Sequence, residues 1–245
     1  MAALRAIVFA SALAGLIVGI VVTLVQQFGT VPLILRAEVY EKAAEAAEPA
    51  AQAVAGAHEH GLAATPQAHE HEHGAGAWQP ADGFERNAYT ALFNVLDWIG
   101  FGLILTGLVV LLRRPLTWRE GFLWGLGGFA ACVLAPGLGL PPELPGVPTA
   151  PLEPRQIWWL ATALATALGL WLIAFRPSPL WAAIALGLIA APHLIGAPRL
   201  VEAPTDVPDA LSHRFMVAVG LTTLLSWALL GGLSGYLYQR FARPS

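Results

Sequence analysis

LRAIVFASALAGLIVGIVVTLVQQF, residues 4–28, holds a single charge, Arg5, at its start. A bilayer's hydrocarbon core takes about 20 apolar residues of helix to cross. Arg5, the apolar run and Ala12-Leu13-Ala14 together mimic a secretory leader with its cleavage site. A leader's apolar stretch is only about 7–15 residues, and this one continues well past Ala14, so it reads as a retained helix. Pro32 is expected to kink or end it between Phe28 and Leu35.

The rest of the chain repeats the pattern. Further apolar runs cover Ala88 to Leu112, Gly121 to Leu140, Ile157 to Phe175, Leu180 to Ile195 and Phe215 to Tyr238. Arg113-Arg114-Pro115 stops the second run, and Pro192 interrupts the fifth, which is the shortest. Of the 245 residues, 56% are hydrophobic and only 12% charged. An ordinary soluble domain has about 25% charged residues, so this chain could not cover a globule with polar surface. Lipid offers the backbone no partners, so each run has to satisfy its own N–H and C=O groups as helix. The runs do not alternate as barrel strands would. The reading is an all-α polytopic membrane bundle of about six transmembrane helices with a long histidine-rich loop. Residues 1–36 form the first transmembrane helix. Residues 37–87 form a His/Glu-rich, periplasmic, largely disordered loop, and 88–245 a five-helix transmembrane region. Gly15 and Gly19, Gly121 and Gly125, Gly231 and Gly235, and Ala161 and Ala165 are spaced for close helix approach.

Orientation follows from arginine density. With the N-terminus inside, Arg5, Arg113, Arg114, Arg119, Arg176, Arg240 and Arg243 crowd four short cytoplasmic segments. Basic residues retained inside set topology. The expectation is a multi-pass protein of the bacterial inner membrane, both termini cytoplasmic and the long loop periplasmic.

Two residue types exclude functions. The sole lysine, Lys42, is not in a G-x-x-x-x-G-K-[ST] setting, so no phosphate-cradling loop of that kind exists. The sole cysteine, Cys132, lies in an apolar run and cannot form a disulfide framework or thiolate cluster within one chain. No nucleophile–base set suggests an enzyme, and no nucleic-acid partner is expected.

The 37–87 segment opens on Glu38-Val39-Tyr40-Glu41-Lys42 in an Ala/Glu-rich stretch suited to a short helix. It continues to His58-Glu59-His60 and His69-Glu70-His71-Glu72-His73, set among Gly, Ala, Pro and Gln. Such a composition cannot bury a core. Imidazole binds cobalt, nickel, copper and zinc, and interleaved glutamates add oxygen ligands and negative potential. His58, His60, His69, His71 and His73 are therefore read as metal ligands. A solubilising linker and a pH sensor are the alternatives. Ligand type alone cannot choose among cobalt, nickel and zinc.

Ionisable groups within spans are costly and usually functional. Asp97 lies in the second span, three positions after Asn94 and on its face. It is read either as a station on an ion path or as an interhelical hydrogen-bonding group. Gln26 and Gln27, near the outer end of the first span, join Asn94 and Asp97 as path candidates. Glu143, His193 and His213 fall at the outer ends of the third, fifth and sixth spans and are read as an outer metal entrance. Glu120, at the inner start of the third span, suits a helix N-terminus. Trp158 and Trp159 suit an interfacial anchor.

Several of these stretches carry a resemblance. Val25-Gln26-Gln27, Pro32-Leu33-Ile34-Leu35 and Ala37-Glu38-Val39-Tyr40-Glu41 resemble the CbtA family of predicted cobalt transporter subunits. So do Leu140-Pro141-Pro142-Glu143-Leu144-Pro145-Gly146 and Arg155-Gln156-Ile157-Trp158-Trp159. The resemblance covers essentially the whole chain, histidine-rich loop included. It implies bacterial cobalt uptake, often linked to cobalamin synthesis, with a small single-helix, histidine-bearing partner, CbtB. It transfers no catalytic residues. Such families are described with five spans where six are counted here, which leaves Leu180 to Ile195 open. Two functions follow: a permease or permease subunit for a transition metal, or a non-transporting accessory that hands cobalt, nickel or zinc to another permease. Membrane lipid surrounds either one, and a homo-oligomer is open.

Overall fold

The computed structural model describes residues 2–56, 78, 80–200 and 204–242. These form seven helices when Trp118–Gly139 is taken as one continuous rod, and no strand occurs among them. The helices are α1 (Ala2–Phe28), α2 (Val31–Gly56), α3 (Phe84–Leu111), α4 (Trp118–Gly139), α5 (Leu152–Phe175), α6 (Pro179–Ile195) and α7 (Asp209–Ala242). Five of them, α1, α3, α4, α5 and α7, are long and apolar enough to cross a membrane. α6 is apolar but has only 17 residues. At 1.5 Å per residue it spans about 26 Å, just short of the hydrocarbon thickness.

Helix ends follow local chemistry. α1 stops at Phe28, the chain turns at Gly29-Thr30, and α2 begins at Val31 with Pro32 in its first turn. A proline is tolerated there because the first N–H groups of a helix lack partners anyway. α2 then runs to Gly56, well beyond the short helix expected over the start of the 37–87 segment. α3 ends in a six-residue wrap, Arg114 N–H donating to Val109 O (3.1 Å) and Arg113 N–H to Val110 O (2.9 Å). Arg113 sits at φ 53°, where glycine is usual, and Pro115 forbids any return to helix. α4 is capped by Thr117, whose hydroxyl accepts from Glu120 N (3.2 Å), so Glu120 does occupy a helix N-terminus. One π turn, Ala130–Leu134, interrupts α4 just before Pro136. The ring of Pro136 supplies no N–H and crowds the carbonyl one turn back, and a π turn accommodates both.

The bundle is built on two glycine seams. α1 lies antiparallel to α3, where a Cβ on Gly15 would stand 2.4 Å from Ile99 N and one on Gly19 2.6 Å from Val95 Cα. α4 lies antiparallel to α7, Gly121 and Gly125 meeting Gly231 and the Trp227 backbone, with Gly235 against Thr117. Between the seams, Ala10, Ala14, Val18, Val22, Trp98, Leu105, Trp227 and Leu230 form the core. Trp227 packs against Trp98 and Phe101, ring centroids 5.8 and 5.0 Å away. α5 and α6 make a hairpin in which Trp158 Nε1–H donates to Pro192 O (3.1 Å). Trp158 is thus turned inward and buried, and only Trp159 remains as a partly exposed anchor.

The two ends of the bundle differ. At one, Arg114, Arg119 and Arg176 stack over Phe175, Trp118 and Trp171. Cation–aromatic pairs of this kind suit a membrane interface. At the other, the loops after α1, α4 and α6 gather over a second core of Ala37, Leu144, Val207, Leu211 and Phe215.

Candidate functional site

The close approach of α1 and α3 places a row of polar side chains in the half of the bundle nearer the loop end. Asn94 Nδ2 donates to Gln26 Oε1 at 2.7 Å and to Thr23 Oγ1 at 3.0 Å. Thr23 in turn donates to Gly19 O, one turn back (2.8 Å). Gln27 Nε2 donates to Asn87 Oδ1 (3.2 Å) further out. Gln26 and Asn94 therefore meet each other, while Gln27 bonds Asn87 further out along the same pair of helices. Thr23 and Asn87 complete the row and were not singled out from sequence. Thr23 shares a helix face with Gln26 and Gln27, three and four positions on, which is the signal that could have found it. Gln26 also lines a cavity of about 160 Å³ with Thr30, Ile34, Phe215, Val219, Thr222 and Thr223. Its polar lining is neutral.

Asp97 stands elsewhere. It lies thirteen residues from Phe84 and fourteen from Leu111, at the middle of α3. Its neighbour Trp98 is buried, but Asp97 is exposed on the opposite face with Phe93, Leu96 and Ile104. A Cβ on Gly100, one turn along, would meet nothing within 4 Å. Among the described residues Asp97 makes no ion pair and no hydrogen bond. Among the described residues it neither lines a cavity nor ties two helices. It is a carboxylate on the outer surface of a membrane helix.

Glu143, His193 and His213 share the loop end but not a ligand cluster. Glu143 Oε2 accepts from Arg155 Nη2 at 2.8 Å. Partial burial raises the Glu143 pKa above the ordinary carboxylate range, and the Arg155 charge opposes the rise. His193 lies edge-on to Trp158, ring centroids 5.7 Å apart. His213 is exposed near the start of α7. Among the described residues no group of three or more His, Cys, Asp or Glu could hold one ion. His58, His60, His69, His71 and His73 lie outside the described residues. The loops around Glu143 are tied together by groups that sequence reading passed over. Arg199 donates to Gly139 O (3.1 Å from Nη2), Thr205 Oγ1 donates to Gly146 O (2.9 Å), and Arg86 joins Glu38 across α2 and α3.

Compared with family models, residues 4–239 match the one described as "Probable cobalt transporter subunit (CbtA)". No curated protein and no solved structure matches the chain.

Proposed function

The chain belongs to the CbtA family, and from that premise we propose that it is a permease subunit for cobalt uptake across the bacterial inner membrane. The observation that carries the reading is the family match over residues 4–239, nearly the whole membrane bundle. The ion path is completed by another chain. The Gln26 and Asn94 amides bond each other, and Asp97, the carboxylate at the middle of α3, faces outward. A charged group facing lipid is costly, so a second polypeptide covers it in the working complex. A small single-helix CbtB-like subunit is the first candidate, and a second copy of this chain the other. Glu143, His193 and His213 border the outer entrance, and Gln26, Gln27 and Asn94 polarise the wall below it. Cobalt is the cargo, with nickel and zinc ions close competitors on ligand chemistry alone.

The bonding of Asn94 to Gln26 and Thr23 also supports a second reading, an accessory that captures metal and hands it on. Cobalt uptake into liposomes separates the two, using the purified chain alone and with its partner. Uptake with the partner present carries the permease reading. Binding without uptake, partner included, leaves the accessory.

Replacing His58, His60, His69, His71 and His73 together with alanine tests metal capture in the same assay. A segment that pays ordering entropy on binding holds metal weakly, so its role is to raise local concentration. The half-saturating cobalt concentration should rise several-fold with the maximal rate unchanged. Loss of uptake at every concentration would make the histidines part of the path itself.

We infer cytoplasmic termini and a periplasmic histidine segment, a reading supported by the density of arginine in the short connecting segments. A reporter active only in the periplasm should work when fused near Gly76 and stay silent after Ser245. Activity at both positions would remove α6 as a span.

A further inference from the structure

α2 and the start of α7 enclose a groove that the cobalt reading does not use. It has a volume of about 440 Å³ and is lined by Arg36, Val39, Tyr40, Pro208, Ala210, Leu211 and Arg214. We propose that this groove binds the phosphodiester of an anionic phospholipid, held between Arg36 and Arg214. Three observations carry the assignment.

The first is unspent charge. Both arginines are exposed, and among the described residues neither is in an ion pair. Glu38, two positions from Arg36, is engaged by Arg86. Guanidinium groups present forked N–H donors that match phosphate oxygens. The second is depth. Arg214 and Arg240 are 26 residues apart on one unbroken helix, α7. That separation is about 39 Å at 1.5 Å per residue, more than the roughly 30 Å hydrocarbon core and within the roughly 40–45 Å that a bilayer spans with its headgroup regions included. With Arg240 at one interface, Arg214 stands at the headgroup level of the other. The third is the wall. Val39 is exposed, and with Pro208, Ala210 and Leu211 it gives the groove an apolar side beside its two charges. A lipid presents both kinds of surface at this depth, and a free ion does not.

Nearby acids sharpen the choice. Asp206 and Asp209 are exposed close to Arg214 in sequence, and His213 adjoins it. Their negative potential weighs against a dianionic free phosphate more than against a singly charged phosphodiester. A bound lipid would bridge α2 to α7, whatever metal is carried.

Native mass spectrometry of the full-length chain decides the matter, with phosphatidylglycerol and phosphatidylethanolamine offered in equal amounts. The expected result is a several-fold preference for phosphatidylglycerol. The Arg36→Gln/Arg214→Gln pair should abolish it, and Arg240→Gln, at the other end, should leave it intact. An unchanged preference in the double variant would overturn the assignment. So would displacement of the lipid by millimolar inorganic phosphate, which would make this a free-phosphate site. Should the double variant not purify, the unmodified chain still serves, because equal retention of the two lipids refutes the proposal by itself.

Discussion

Gly231→Ala is expected to dismantle the α4–α7 seam, while Gly232→Ala beside it is expected to stabilise the protein. The two substitutions add the same methyl group to the same helix. At Gly231 the new Cβ would stand 2.1 Å from Gly121 O and 2.9 Å from Gly125 Cα. Those are backbone atoms, and no side-chain rotation can relieve them. The helices would have to separate, and the contacts of Gly121, Gly125 and Gly235 would loosen together. Helix association in lipid rests largely on such close packing, because the surrounding tails are as apolar as the core. Overpacking a well-filled core costs about 1–3 kcal/mol, and a clash of two backbones belongs at the top of that range or above it. At Gly232 a Cβ would meet nothing within 4 Å. Only the helix-propensity gain of alanine over glycine remains there, worth about 0.8–1.0 kcal/mol in the favourable direction. Thermal midpoints of the two variants in one detergent should therefore move in opposite directions. Equal midpoints would mean that α4 and α7 are not in the close contact described.

Those glycines were legible in the sequence because close approach imposes a spacing of four that survives any detail of rotation. The same rule failed on α5. Ala161 is exposed, and the helix instead buries Thr162, Ala163, Thr166 and Gly169. Thr162 can face inward there because its hydroxyl returns to its own helix, donating to Trp158 O at 2.8 Å, whereas the buried Thr166 hydroxyl has no such partner among the described residues. Small apolar residues are therefore not the only ones that fit a close contact. The rotation of α3 was hidden for a related reason. A helix that is apolar on every side has no periodicity to separate core from lipid, so Trp98 inward and Asp97 outward could not be told from the reverse. The loop end was hidden by chain distance. Glu143 reads as a free ligand until Arg155, twelve residues on, is seen to bond it. Helix breaks were easier, because Pro32 and Pro115 act locally. α6 remained open in sequence and stays marginal in length, since 17 residues lie at the threshold for a span.

Asp97→Asn is expected to stop cobalt uptake while leaving the protein folded, and at least as stable as before. The side chain makes no contact whose loss could loosen the bundle: among the described residues it has no hydrogen bond and no ion pair. Asparagine keeps its shape. What it removes is a negative charge at the middle of α3, on a face shared with exposed Phe93, Leu96 and Ile104. In lipid that charge is a liability, so deleting it should hold or raise the thermal midpoint of the isolated chain. A residue kept only for packing would not behave so. In the transport reading the charge serves a cation passing between this subunit and the chain that covers α3. A site of fixed negative charge in a poorly solvated setting attracts a divalent ion strongly, and a neutral amide does so far less. Uptake by the complex in liposomes should then fall by at least an order of magnitude. Asp97→Glu should restore part of it, since charge returns with a displaced position. The joint result, stability held and uptake lost, distinguishes a path residue from a docking residue, whose loss would lower partner retention and uptake together. Near-normal uptake with asparagine at position 97 would take Asp97 off the path and leave the seam of Gln26 and Asn94 as the remaining route to test.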